Sequence, residues 1–331
     1  MKHVNVALFV PHEGCPHMCS FCNQKTISGS AKKLTKEDID EAVKIATARD
    51  YDKSDSEIAF FGGSFTAIDK EYMTYLLESS YPYVKDGLFK GIRCSTRPDA
   101  IDEDILELLK KYGVTAIELG AQSMSDNVLV MNDRGHTSAD VVRASELIKY
   151  HGFELGLQMM TGLYGDTDES AIATAEKIIS LKPDTVRIYP TVVLENTRLE
   201  SLYEKGEYTP QTVEEAVNLC SKLLDMFNEA SVKVIRLGLH SGGNVEDGFV
   251  AGAYHPAFRE LCESRLYFEK CCRIIQQNNI TGKITIYVSP SEISKMTGQK
   301  RSNIESFSRM GISAQVKPDA NLGKYMLRIE E

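Results

Sequence analysis

Residues 15–22 read Cys15-Pro16-His17-Met18-Cys19-Ser20-Phe21-Cys22. Three thiols within eight residues form a ligand spacing rather than a packing pattern, because soft thiolates select zinc or an iron–sulfur centre. A structural zinc needs a fourth protein ligand, which His12 or His17 could supply. The C-x3-C-x2-C spacing, with Phe21 before the last cysteine, is the sharper signal. The other cysteines, Cys94, Cys220, Cys262, Cys271 and Cys272, are scattered. They read as small buried hydrophobes. The adjacent pair Cys271-Cys272 is also awkward geometry for a second cubane. A secreted disulfide scaffold would be shorter, richer in cysteine and preceded by a signal.

The surrounding chain is ordinary globular material. Its 331 residues are 42% hydrophobic and 26% charged, which excludes disordered and collagen-like classes. No apolar run approaches the ~20 residues that span a bilayer, so no membrane contact is expected. Nor does the start of the chain read as a signal peptide, so a cytoplasmic location is expected. The net charge of −9 argues against indiscriminate nucleic-acid binding. The last 49 residues reverse the balance, with eight basic and five acidic side chains.

The cysteine run follows an apolar strand at 4–10, which places it in the first strand-to-helix loop. Further strands are expected at 57–61, 91–95, 116–120, 154–160, 184–189 and 232–237, with helices starting near Thr35, Lys70, Asp102, Ser138, Asp168 and Thr212. Thr35, Asp102 and Thr212 precede early acidic residues, as N-caps do. Gly113 and Gly152 close helices. Apolar strands alternating with helices imply a parallel sheet covered on both faces. The fold class is therefore α/β. Six or seven such units suggest a closed or partly closed β/α barrel over residues 1–240, with working residues at strand C-terminal ends. An open doubly wound sheet is the alternative. Residues 241–280 read as a helical extension. Residues 283–331 form a small α/β module, with strands at 284–288, 312–316 and 324–329 and helices at 291–296 and 302–310.

The cysteine spacing resembles that of the radical S-adenosylmethionine (radical SAM) superfamily. The resemblance implies a barrel of the partial (β/α)6 type, and that Cys15, Cys19 and Cys22 hold three irons of a [4Fe–4S] cluster. The fourth iron is left open for S-adenosylmethionine, whose reductive cleavage yields a 5′-deoxyadenosyl radical. Gly62, Gly63 and Ser64, in the string Phe60-Phe61-Gly62-Gly63-Ser64-Phe65, resemble the family's glycine motif at the end of the second strand. Glycines there allow the ligand close to the backbone.

The strings Ile92–Asp99, Ile117–Ser123, Asn132–Thr137 and Tyr254–Arg265 are similar to the Elongator catalytic-subunit-like group. The string Gly162–Thr167 is shared more widely, including with coproporphyrinogen oxidase-like proteins. The chain departs from the Elongator group in the short gap between its first two cysteines. It also shows no acetyl-CoA glycine motif and no acetyltransferase domain.

Glu118, Gln122 and Arg134 are candidate contacts to the cofactor, Arg134 because guanidinium matches carboxylate geometry. Gln122, His136 and Tyr189 are the catalytic candidates. Gln158 and Met160 are possible pocket liners. Arg97, Asp99 and Arg236 read as ion pairs, and His255, Arg259, Glu263 and Arg265 as a helix salt-bridge network. For Glu118 and Gln122 the competing reading is a buried polar network that pins the barrel.

Residues 293–307 resemble a KH-domain core, in which two helices flank a glycine loop that clamps nucleic acid. Here the loop reads Gly298-Gln299-Lys300-Arg301, so the second glycine is replaced. The expected activity is radical SAM chemistry on RNA, tRNA-like, or another large substrate. RNA would be bound through 283–331, with a low-potential flavodoxin- or ferredoxin-type electron donor. The rival readings are a small-molecule radical SAM enzyme and an RNA-binding protein with a structural cluster.

Overall fold

The computed structural model describes residues 5–10, 18–23, 32–48, 50–239 and 244–331. Cys15, His12 and His17 lie outside those residues. Seven parallel strands curl into a half-barrel in the order β1-β2-β3-β4-β5-β6-β8, with β1 and β8 at its edges. They are β1 (Asn5–Val10), β2 (Glu57–Gly62), β3 (Gly91–Thr96), β4 (Val114–Gln122), β5 (Glu154–Thr161), β6 (Thr185–Pro190) and β8 (Lys233–Leu237). Their helical crossovers are α1 (Lys36–Thr47), α2 (Lys70–Lys85), α3 (Glu103–Lys111), α5 (Ser138–Tyr150), α6 (Asp168–Ser180) and α8 (Val213–Glu229). The expected caps form: Thr35 and Thr212 each close a capping box, and Asp102 accepts from Ile105 N.

The structure adds elements that periodicity did not show. A short α4 (Asp126–Met131) precedes α5, and α7 (Arg198–Glu204) precedes α8. Strand β7 (Val192–Leu194) leaves the main sheet and pairs antiparallel with β9 (Phe249–Gly252), which follows a single turn, α9 (Asn244–Asp247). These runs are too short to carry a period.

Alternation along each strand separates two faces. Val6, Leu8, Ile58, Phe60, Ile92, Ile117, Leu155 and Val186 pack outward into one continuous apolar core with the helices. The opposite face carries Glu57, Arg93, Glu118, Gln158 and Arg187. Arg93 Nε donates to Glu57 at 2.7 Å, its Nη2 to Glu154 at 2.8 Å and its Nη1 to Glu118 at 3.4 Å. Arg187 Nη2 donates to Glu118 at 2.7 Å, and Gln158 Nε2 does so at 3.1 Å. The lumen floor is thus a buried ion network joining β2 through β6. Gly156 makes room for it, since a Cβ there would lie 2.7 Å from Glu118 Cγ.

Helix α10 (Phe258–Asn278) packs on α8 and carries the C-terminal module. That module is β10 (Gly282–Val288), α11 (Ile293–Thr297), α12 (Ser302–Arg309), β11 (Ile312–Pro318) and β12 (Leu327–Glu330). Strand β10 lies between β11, parallel to it, and β12, antiparallel. Phe268 meets Phe307 with ring centroids 5.0 Å apart, and Asn303 Nδ2 donates to Ser264 O at 3.1 Å.

Glu263, 3% exposed, is the polar hub of this joint. It accepts from Arg259 at 3.0 Å, Tyr325 at 2.6 Å and Lys295 at 2.8 Å, with Lys324 3.1 Å away. The helix network expected around Arg259 and Glu263 is present and reaches into the module. Burial pushes the Glu263 carboxyl up, but its bonds to Lys295 and Tyr325, with Lys324 and Arg259, overcome this and bring it from 4.5 to about 2. A carboxyl lowered on folding stabilises above its unfolded pKa, and that stability is lost as pH falls through the folded value. Glu263→Gln is therefore expected to cost about 3 kcal/mol at pH 7. The gap from the parent protein should narrow between pH 4.5 and about 2. Urea unfolding at neutral and acid pH measures it; an equal deficit at both would contradict the role of the charge.

Candidate active site

The C-terminal ends of β1 to β4 converge at the open mouth of the half-barrel. Gly62 ends β2 with φ +113°, a backbone region open to glycine alone, and a Cβ there would lie 2.4 Å from Val10 O. The glycine thus seats the β2 end against β1. Ser64 is buried and its hydroxyl meets Thr96 Oγ1 at 2.7 Å while accepting from Arg97 N at 3.1 Å. Thr66 joins the same hydroxyl cluster, 2.6 Å from Thr96 Oγ1. The side chain of Ser64 therefore braces β2 against β3. Gly63 beside it is half-buried. Arg97 forms the expected ion pair, its Nε donating to Asp99 at 2.9 Å.

Cys19 is buried and Cys22 half-buried, and Cys22 N donates to Cys19 O at 3.0 Å in a tight turn. The turn is held by the far side of the barrel. Ser20 Oγ donates to Asn132 Oδ1 at 2.6 Å, Leu199 N donates to Ser20 O at 2.8 Å, and Asn23 Nδ2 donates to Glu195 O at 2.7 Å. Phe21 packs on the small apolar cluster of Val193, Leu199, Leu202 and Tyr208.

Arg134 crosses the mouth to this turn. Its Nη1 donates to Cys19 Sγ at 3.4 Å and its Nη2 to Gly120 O at 2.9 Å. A Cβ on Gly120 would lie 2.8 Å from Arg134 Nη2 and 2.9 Å from Gln122 Nε2, so this glycine lets the two side chains converge. Gln122 itself has φ +62°, at a register shift between β4 and β5. His136 is buried with Nε2 3.2 Å from Ala121 O. Burial, reinforced by the Arg134 charge, lowers its imidazole to about 4. The ring is therefore neutral near pH 7, with Nε2–H donating to the carbonyl.

The sequence-predicted residues thus fall into separate groups. Cys19, Arg134, Gln122 and His136 come together at the β4 end. Gly62, Gly63 and Ser64 lie at the β2 end. Glu118 lies one layer deeper, engaged by Arg187, Arg93 and Gln158. Tyr189, half-buried on β6, has its phenol pushed up by burial against the pull of Arg187. Ser20, Asn132 and Thr96 were not anticipated. Asn132 opens the quoted string 132–137, two residues before Arg134, so its position was a usable signal.

The donor set fits an iron–sulfur cluster and an ionic ligand beside it. Two soft sulfurs of the spaced triad sit in one tight turn, with a guanidinium against one of them. Arg134 Nε and His136 Nδ1 are buried without a hydrogen-bond partner among the described residues. These are the polar atoms a bound ligand would satisfy.

An open parallel barrel with a cysteine turn at its mouth and a polar lumen defines a barrel enzyme working at its strand ends. Family models settle which one: the radical SAM superfamily matches residues 9–178, and the radical SAM C-terminal domain matches residues 183–267. The chain belongs to the radical SAM superfamily, whose members use a [4Fe–4S] cluster and S-adenosylmethionine. It is 29% identical over 185 residues to a tRNA uridine(34) acetyltransferase of Methanocaldococcus infernus, covering 50% of this chain and 35% of that protein. The match thus spans about a third of that relative's length. An uncharacterised protein of Methanocaldococcus jannaschii is 30% identical over 225 residues, covering 64% of this chain and 68% of that one. The solved structure of the archaeal Methanocaldococcus infernus Elp3, lacking its N-terminus, shares the fold with a TM-score of 0.60 at 21% identity, covering 84% of this chain and 64% of that one.

Two outcomes follow from this geometry. Gly62→Ala forces a Cβ into Val10 O at a glycine-only φ, so it should destabilise the protein by more than about 2 kcal/mol, read as a lowered thermal midpoint. His136 should show no titration above about pH 5 in side-chain nitrogen NMR; a midpoint near 6.5 would contradict the buried neutral ring.

Proposed function

We propose that this protein uses S-adenosylmethionine radical chemistry to modify an RNA substrate of the tRNA type. The supporting observation is the pairing, in one chain, of the radical SAM barrel with a basic loop mounted between two helices. Gly298–Arg301 lies between α11 and α12, with Lys300 and Arg301 exposed. Both adopt left-handed backbone, φ +50° and +67°, at the start of α12. Elsewhere in the module Lys295, Lys324 and Arg328 are engaged in ion pairs with Glu263, Glu292, Asp319 and Glu330. Lys300 and Arg301 make none among the described residues. They supply the charge that a phosphate backbone would meet. The strand–helix–helix–strand order supports the KH-like reading of this module.

At the mouth, Cys15, Cys19 and Cys22 would hold the cluster. Bound there, the cluster and S-adenosylmethionine would supply radical chemistry, with a low-potential donor as the electron source. The protein's part is placement and exclusion. Gly62 and Gly63 would present backbone to the ligand's amino group, and Arg134 would offer its guanidinium to a carboxylate. Gln122 adds a polar amide at the same strand end. His136, neutral, holds the β4 end through Ala121 O and has Nδ1 free to accept. The lumen network holds Glu118 in place, and Tyr189 lines the wall above it.

Three measurements test this. Anaerobic reconstitution with iron, sulfide, S-adenosylmethionine and dithionite should release 5′-deoxyadenosine, and Cys19→Ala should abolish the release. In mass spectrometry of RNA nucleosides, cells lacking the protein should lose one modified nucleoside; an unchanged nucleoside profile counts against an RNA substrate. For the loop, Lys300→Gln with Arg301→Gln should weaken tRNA binding and flatten its logarithmic salt dependence by about 2, one unit per lost phosphate contact. Filter binding across salt concentrations reads this directly.

A further inference from the structure

Two of the bonds that locate the cysteine turn run to one residue, Asn132. Asn132 is 1% exposed and follows the last turn of α4. Its carbonyl accepts from Ser20 N at 3.1 Å and its Oδ1 accepts from Ser20 Oγ at 2.6 Å. Its Nδ2 donates to Val128 O at 2.8 Å and to Tyr164 O at 2.9 Å, in the loop after β5. Ser20 is fully buried and follows Cys19 directly. Two residues beyond Asn132, Arg134 Nη1 reaches Cys19 Sγ. The side chain uses one acceptor and both amide donors, a combination that aspartate or an apolar residue of like size does not provide.

We propose that Asn132 is a positioning residue for the iron–sulfur cluster: acting through Ser20, it fixes the Cys19–Cys22 turn and holds Cys19 Sγ against Arg134. It also ties that turn to the loop after β5, so two loops at the mouth share one anchor. The inference depends on the family's cluster and is independent of the RNA substrate. Outer partners of metal ligands set ligand orientation, and their loss commonly costs 10–100-fold in metal affinity.

The test uses the full chain, anaerobically reconstituted, with Ser20→Ala, Asn132→Ala and both together. Two readouts serve: the rate at which a chelator bleaches the cluster, and the EPR spectrum of the dithionite-reduced cluster. Ser20→Ala and Asn132→Ala should each bleach about tenfold faster than the parent and shift the EPR g-values. The double variant should be no worse than Asn132→Ala, because Ser20 and Asn132 act as one unit. Thermal unfolding of the cluster-free variants reports separately on the fold. If Asn132→Ala does not fold, Ser20→Ala decides alone, since it keeps every bond except the 2.6 Å one. Parent-like bleaching and EPR in Ser20→Ala, or a lowered thermal midpoint with an unaltered cluster, overturns the proposal. Independent addition of the two effects overturns it as well.

Discussion

Five of the seven barrel strands are joined by one buried ion network. Arg93 on β3 reaches Glu57 on β2, Glu118 on β4 and Glu154 on β5, and Glu118 in turn receives Arg187 from β6. A half-barrel cannot fill its lumen with apolar side chains and still leave a cavity for chemistry. The lumen wall must then be polar, and buried polar groups must be paired. Charges buried this way contribute little net stability against a well-packed apolar alternative, yet each is costly to leave alone. The network thus imposes relative strand positions: any shift of β3 against β4 would strand a guanidinium or a carboxylate.

That fixed floor is what lets the mouth be built from distant pieces. The cysteine turn is bonded to Asn132, at the end of α4, and to Glu195 and Leu199, which follow β7. Ser20 to Asn132 spans 112 positions. Gly120 and Gly62 serve the same end from opposite sides, one admitting Arg134 and Gln122 over the strand, the other seating β2 on β1. Charge placement follows: Arg134 faces sulfur, while His136 beside it is kept neutral by burial and by that same charge. Of these two side chains, Arg134 alone brings a cation to Cys19.

The C-terminal module is not loosely appended. Its core residues Ile286, Met296 and Phe307 belong to the same apolar cluster as the barrel's outer face. Glu263 draws Lys295, Lys324 and Tyr325 onto α10 while Arg259, bonded to the same carboxylate, donates to Val234 O on β8 at 3.1 Å. One carboxylate thus links the last barrel strand, the long helix and the module. It also engages two of the module's basic side chains, Lys295 and Lys324, while Lys300 and Arg301 stay exposed on their loop.

The parallel strands, their caps and the cysteine spacing were legible in the chain because each is a local signal. β-branched runs repeat, a threonine precedes an acidic residue by three, and thiols recur at ligand spacing. The order of the motifs along successive strand ends was legible for the same reason. The lumen network was half legible: Glu57, Arg93, Glu118 and Arg187 each interrupt an apolar strand, and a charge there demands a partner. Which partner it takes depends on register across the sheet, and register is set by packing of the whole barrel. The clasp of Asn132 on Ser20, the reach of Arg134 to Cys19 and the convergence on Glu263 were decided only by the folded chain. Each joins residues far apart in sequence, and no local pattern encodes a contact that exists only once separate strands have closed around a common axis.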